Sequence, residues 1–221
     1  MKAVIFVNGR FHSPETARQH VSPCDYLIAA DGGARHAVVL GLNPHIVIGD
    51  LDSLSLELER RLKRASTQFL RFPGDKDKTD LELAIEHALE KGVESILLIA
   101  ALGGRLDQSL ANIMLLTLPI LKETPVSILD GNQHAFLLRN RVTILSKTGD
   151  LVSILPLAGD AQGVSSEGLK WPLRDETLPM GSSRGMSNVM LNERAVIRLR
   201  QGLLLCVVSA RLPAKVRIDF S

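Results

Sequence analysis

Aromatic residues make up only 4% of this 221-residue chain, with one Trp and one Tyr. Its cores must therefore be aliphatic, and the lone Trp171 becomes informative. Cysteine is almost as sparse. Cys24 and Cys206 lie far apart and show no metal-ligand spacing, which argues against a disulfide framework or a zinc site and makes a reducing cytoplasm the expected compartment. Charge of one sign is also lacking: the net charge of +2 is too weak for a nucleic-acid surface. No apolar run is long enough to span a bilayer, so no membrane partner is expected. Met1 to Val7 leads into Asn8-Gly9 without a small-residue cleavage pattern, and so reads as a strand rather than a signal peptide. Two motifs are missing as well. Without Gly-x-x-x-x-Gly-Lys-Ser/Thr or Gly-x-Gly-x-x-Gly, a P-loop enzyme or an ordinary dinucleotide dehydrogenase is disfavoured.

What is present alternates. Continuous apolar runs at 2–7, 26–30, 46–48, 68–72 and 95–100 read as strands. Between them, 34–40, 54–65 and the stretch from Thr79 to Gly92 read as helices, and another helix runs from about Gln108 to Leu118. This is the signature of a mostly parallel sheet covered on both faces, an α/β, Rossmann-like unit assigned to residues 1–125. From 126 the pattern becomes all-β, giving a second domain over 126–221. Within it, Lys147 to Asp150 and Gln201-Gly202 are flanked by apolar runs and predict two hairpins.

Candidate chemistry falls at four strand ends, where open parallel sheets bind ligands. The first is Asp31-Gly32-Gly33. The second is Gly49-Asp50-Leu51-Asp52-Ser53, whose two carboxylates would share one side if the chain stayed extended and would suit Mg²⁺. As a plain turn, its Asp52 or Ser53 would instead cap the next helix. The third runs from Asp75 through Lys76, Asp77, Lys78 and Thr79 to Asp80, with Thr79 and Glu82 spaced as a capping box. The fourth is Gly103-Gly104-Arg105-Leu106-Asp107. Carboxylates for a cation, helix N-termini for phosphate oxygens, and Lys76, Lys78 and Arg105 for neutralising charge are together what polyphosphate chemistry needs. In the β region, Gly168-Leu169-Lys170-Trp171-Pro172-Leu173 offers an aromatic face for a flat or cationic ligand, and Ser187-Asn188 offers hydrogen bonds to a heterocycle.

Taken in order, these segments, together with Leu110-Ala111-Asn112, resemble the thiamin pyrophosphokinases along most of the chain. The resemblance implies an α/β domain binding ATP and Mg²⁺ and a β-sandwich that helps bind thiamin. It also implies a homodimer with each site between two subunits. The reaction would transfer the pyrophosphoryl group of ATP to the thiamin hydroxyl, releasing AMP. Carried over by motif, Asp50, Asp52 and Asp80 would hold the metal, with Asp31 and Asp77 close by. ATP would meet Gly32, Gly33, Lys78, Thr79 and the run Gly103, Gly104, Arg105, while Trp171, Ser187 and Asn188 would take thiamin. Asp80 and Asp107 are the candidates for receiving the hydroxyl proton. Gln108 stands where many members carry His, which excludes an imidazole acid or base at that position. A pyrophosphokinase for another heterocyclic alcohol, such as a pterin, and a non-catalytic nucleotide or thiamin sensor are the alternatives.

Overall fold

In a computed structural model, the structure describes residues 1–211 and 216–220. The chain divides into two compact units, Met1–Gly131 and Asn132–Ser221.

The first unit is built on six parallel strands: β1 (Lys2–Phe6), β2 (Tyr26–Ala30), β3 (Ile46–Gly49), β4 (Gln68–Arg71), β5 (Ser95–Ile99) and β6 (Val126–Asp130). Their order across the sheet is β6-β5-β1-β2-β3-β4, with every neighbouring pair parallel. β1, β2, β3 and β5 are apolar almost throughout and buried, as strands covered on both faces must be. β4 is the exposed edge, and its Gln68 and Arg71 suit that place. The helices are α1 (Pro14–Gln19), α2 (Ala34–Val39), α3 (Leu56–Arg64), α4 (Asp80–Glu90) and α5 (Leu106–Leu115). Capping fixes two starts. Ser55 accepts a hydrogen bond from the Leu58 amide to begin α3, and Thr79 accepts one from the Glu82 amide to begin α4. The cap of α3 is therefore Ser55, not Asp52 or Ser53.

Successive strands β1 to β4 step outward on one side, whereas β5 returns to the other side of β1. The crevice at such a reversal, beyond the carboxyl ends, is where an open sheet receives its ligand. The two strand exits there are tied together: the Gly9 amide donates to Ala100 O and the Arg10 amide to Leu102 O, each at 2.8 Å. Gly9 is required by this closeness, since a Cβ would collide with both carbonyls.

The second unit packs two antiparallel sheets. One contains β7 (Gln133–Leu138), β9 (Leu151–Pro156), β12 (Asn188–Val189) and β14 (Leu204–Ser209), in the order β12-β9-β14-β7. The other contains β8 (Arg141–Leu145), β10 (Ala161–Glu167), β11 (Glu176–Leu178), β13 (Arg194–Arg198) and β15 (Arg217–Phe220), in the order β11-β10-β13-β8-β15. Alternate residues such as Phe136, Ile154 and Cys206 from one sheet and Val142, Ile144 and Ile197 from the other form one buried core, which makes the unit a β-sandwich.

Two expectations are corrected. Neither predicted hairpin forms. β8 pairs with β13 and β15, while β9 pairs with β14 and β12, so the Lys147–Asp150 turn carries the chain from one sheet to the other. The Gln201-Gly202 turn does the same between β13 and β14. Turn residues between alternating strands look alike whether the strands pair or cross between layers. In addition, Val126–Asp130 reads in sequence as the first strand of the β region, but it pairs in parallel with β5 and belongs to the first unit.

Candidate active site

The four strand-end segments of the first unit meet around one cavity of about 600 Å³. Asp31 follows β2, Asp50 and Asp52 follow β3, Lys76 to Asp80 join β4 to α4, and Gly103 and Arg105 join β5 to α5. A volume of this size suits a nucleotide-sized ligand. The N-termini of α4 and α5 both reach it, through Thr79, Asp80 and Leu81 and through Arg105 and Gln108. Orphan amides and the positive end of the helix dipole therefore face the cavity.

Oxygens of Asp31, Asp50 and Asp52 lie within 4.8 Å of one another. Backbone strain produces this closeness. Asp31 (φ 44°) and Leu51 (φ 67°) are both left-handed, a conformation unfavourable for side chains with a Cβ. The chain after β3 is thus not extended. It turns at Leu51, which drops its side chain into the core, and the Asp52 amide donates to Asp50 Oδ1 at 3.2 Å. The two carboxylates meet through a kink rather than by strand alternation.

Asp31 is buried and its Oδ1 has no hydrogen-bond partner. Leaving a buried carboxylate oxygen unsatisfied is unfavourable unless a cation completes it. An all-oxygen donor set fits a hard divalent ion. Asp80, at the first turn of α4, sits against the same group: a Cβ placed on Gly49 would lie 2.9 Å from Asp31 Cβ and 3.0 Å from Asp80 Cγ. Burial pushes the Asp80 carboxyl up, the charges of Asp31 and Asp50 push it further, and Lys76 opposes them. Asp107 goes the other way. Arg105 holds it at 2.6 Å, and that bond together with the Gln108 amide keeps its carboxyl below the usual range. Of the two candidates for accepting a proton, Asp107 is therefore the weaker base.

The remaining predicted residues divide. Lys78 lines the cavity but is bound to both oxygens of Glu86, at 2.6 and 2.8 Å. Asp77 is exposed and lies outside the lining, as do Asp107 and Gly104. Gly32 and Gly33 are buried beneath the floor. A Cβ on Gly32 would fall 2.6 Å from the Asn8 side-chain Oδ1, and one on Gly33 would collide with Phe6 O, so close packing against the β1 backbone explains Gly33. Sequence reasoning gave Asn8 and Gly9 only as the end of a strand, yet both line the cavity. Their position at the carboxyl end of an apolar strand was the available signal. Asn112 is placed by its own bond, donating from Nδ2 to Ala101 O at 2.7 Å and fastening α5 to the exit of β5.

In the second unit Trp171 is 55% exposed, with Lys170 Nζ 4.8 Å from its ring centroid. It borders a recess of about 60 Å³ with Val152, Ile154, Leu173, Arg184 and Asn188. Asn188 is buried and fully engaged. Its Oδ1 accepts from the Trp171 and Val189 amides, and its Nδ2 donates to Trp171 O at 2.7 Å. Asn188 therefore positions the tryptophan loop. Ser187 is exposed and left-handed (φ 56°), its amide held by Ser153 Oγ.

A parallel sheet reversing at β1 and β5, two helix N-termini and an acidic cluster define a nucleotide-type phosphotransfer site. Residues 17–128 match the family model "Thiamin pyrophosphokinase, catalytic domain", and residues 139–204 match "Thiamin pyrophosphokinase, vitamin B1 binding domain". The thiamine pyrophosphokinase of Bacillus subtilis is 28% identical over 184 residues, covering 82% of this chain and 86% of that protein. Its crystal structure superimposes with a TM-score of 0.86 at 25% identity, covering 96% of this chain and all of that one. The Geobacillus thermodenitrificans thiamin pyrophosphokinase gives 0.83 at 26% identity, over 95% and 98% of the two chains. The chain belongs to the thiamin pyrophosphokinase family.

Proposed function

We infer that this protein transfers the β,γ-pyrophosphoryl group of ATP to the hydroxyl of thiamin, forming thiamin diphosphate and AMP. The observation that carries this reading is the strained acidic cluster with its buried, unpartnered Asp31 oxygen, set at the N-termini of α4 and α5. The thiamin hydroxyl oxygen bonds to the β-phosphorus, the bond from that phosphorus to the α-bridging oxygen breaks so that AMP leaves with that oxygen, and the hydroxyl proton is released to water. Asp31, Asp50 and Asp52, with Asp80 adjacent, would hold Mg²⁺. That ion supplies charge neutralisation for the phosphates. Arg105 and Lys76 line the cavity and add cationic contacts, while the amides at the start of α5 receive phosphate oxygens. Such a transfer rests on positioning and electrostatics, so Gln108 in place of an imidazole is compatible with it. Trp171 would stack on the thiamin ring. The match to a vitamin B1 binding domain disfavours the pterin alternative.

The test is a product assay with ATP, Mg²⁺ and thiamin. AMP and thiamin diphosphate in equal amounts are expected; ADP, or AMP release independent of thiamin, refutes the reading. Asp50→Asn is expected to abolish turnover with little change in melting temperature, because it removes a metal ligand and no core volume. We extend the reading to a cytoplasmic homodimer whose sites each join the α/β unit of one subunit to the β unit of the other. Mixing Asp50→Asn with Trp171→Ala subunits should then restore about a quarter of wild-type turnover at limiting thiamin, because half the dimers are hybrids with one intact site.

A further inference from the structure

Among the described residues of the acidic cluster, Asp80 alone has an ammonium group against it. Lys76 Nζ lies 2.9 Å from Asp80 Oδ1 and donates to Pro73 O at 3.0 Å, and its side chain is only 15% exposed. We infer that Lys76 is a built-in counter-ion that competes with a divalent cation for Asp80 and moves to the polyphosphate when the cation binds. This inference rests on the metal site proposed above.

Two features of the pair point to exchange rather than to a permanent bridge. Lys76 Nζ divides its hydrogens between Asp80 Oδ1 and Pro73 O, so Asp80 Oδ1 is shielded from water with only a shared ammonium as its partner. Such an oxygen gains from a closer cation. Asp80 and Asp31 both approach the space left by the absent side chain of Gly49, and Asp31 and Asp50 are near enough to affect the charge of Asp80. A divalent ion at Asp31, Asp50 and Asp52 therefore attracts Asp80 and repels the Lys76 ammonium at the same time. Lys76 itself lines the cavity and sits on the loop between β4 and α4, directly after Gly74 and Asp75. Once displaced, a half-buried ammonium needs an anion, and the polyphosphate supplies it. Cation and nucleotide should thus strengthen each other's binding, reciprocally.

The experiment is calorimetric titration of Mn²⁺ into nucleotide-free protein, for the wild type, Lys76→Met, Lys76→Arg and Asp50→Asn. Lys76→Met should bind Mn²⁺ about tenfold tighter than the wild type. Lys76→Arg should stay near the wild type. The gain in Mn²⁺ affinity on adding ATP should shrink in Lys76→Met. An affinity for Lys76→Met within about twofold of the wild type, with binding still lost in Asp50→Asn, overturns the role of Lys76 and leaves the metal site standing. Wild-type affinity in Asp50→Asn overturns the metal site itself. A readout that needs no variant is the Lys76 Nζ resonance in ¹⁵N-lysine-labelled wild type. It should shift on addition of Mg²⁺, and a resonance unmoved at saturating Mg²⁺ refutes the exchange.

Discussion

Gly49→Ala is the sharpest single perturbation of the acidic cluster, because it adds one methyl group at the point where Asp31 and Asp80 converge. The Cβ would stand 2.9 Å from Asp31 Cβ, 3.0 Å from Asp80 Cγ and 3.1 Å from Asp80 Oδ2. Neither neighbour can retreat freely: Asp31 is buried in a left-handed turn, and Asp80 is fixed in the first turn of α4. Overpacking of this kind is destabilising by about 1–3 kcal/mol. The backbone adds to it, since Gly49 has φ +153°, a region unfavourable for a side chain by about 1–3 kcal/mol. The sum of about 2–6 kcal/mol corresponds to a fall in melting temperature of about 5–20 °C for a chain of this size. Gly41→Ala separates the two contributions. Gly41 also has positive φ, +71°, but nothing lies within 4 Å of its would-be Cβ. That variant should lose only the backbone part, about 1–2 kcal/mol. The assay is thermal unfolding followed by circular dichroism, paired with Mg²⁺ titration of both variants. Gly49→Ala should melt well below Gly41→Ala and bind Mg²⁺ more weakly, because Asp31 and Asp80 are forced apart. Equal melting temperatures for the two variants would refute the reasoning, since the crowding of carboxylates at Gly49 would then carry no energy.

Asn188→Ala leaves the amides of Trp171 and Val189 without their acceptor. It should lower stability by about 2–3 kcal/mol in denaturant titration and raise the KM for thiamin while the KM for ATP holds. Trp171→Ala should have the same split in KM with a stability loss under about 1 kcal/mol, because the ring is 55% exposed. Equal loss of thiamin and ATP affinity would mark Trp171 as structural. For His36, burial first and Arg35 second hold the imidazole below its ordinary value, against the hydrogen bond to Gly9 O at 3.1 Å. The unfolded chain therefore takes up a proton near pH 6.5 that the folded chain refuses. The stability His36 contributes is present above that value and is lost as the pH falls through it. His36→Gln should flatten the fall in melting temperature between about pH 7 and 5. The remaining slope belongs in part to His87, which burial also holds low.

Most of the first unit was readable because its strands are buried on both faces and so appear as unbroken apolar runs, with caps such as Thr79 marking where helices begin. The second unit was readable as all-β but not in its pairing. A turn such as Lys147 to Asp150 is held by its own bonds, with Ser146 Oγ and the Lys147 amide donating to Asp150, whichever sheets its flanking strands join. Sheet membership is decided instead by partners far along the chain, such as β8 with β13 and β15. Residue types reveal local propensity; they do not reveal which distant strand will arrive.

The same distinction explains the site. Motif order names Asp31, Asp50, Asp52 and Asp80, but the reason they lie together is in conformations that residue identity conceals. Asp31 after β2, Leu51 after β3 and Ala100 after β5 are all left-handed without being glycine, at φ 44°, 67° and 57°. Each is at the carboxyl edge of the sheet, next to the cavity floor. Strain of roughly 1–3 kcal/mol at each such residue persists only where the surrounding packing over-determines it. Here that packing is Leu51 in the core, Asn112 holding Ala101, and the amides of Gly9 and Arg10 bound across to the β5 exit. The aliphatic core thus does more than stabilise the fold. It holds oxygens of Asp31, Asp50 and Asp52 within 4.8 Å of one another, the arrangement on which the proposed cation site rests.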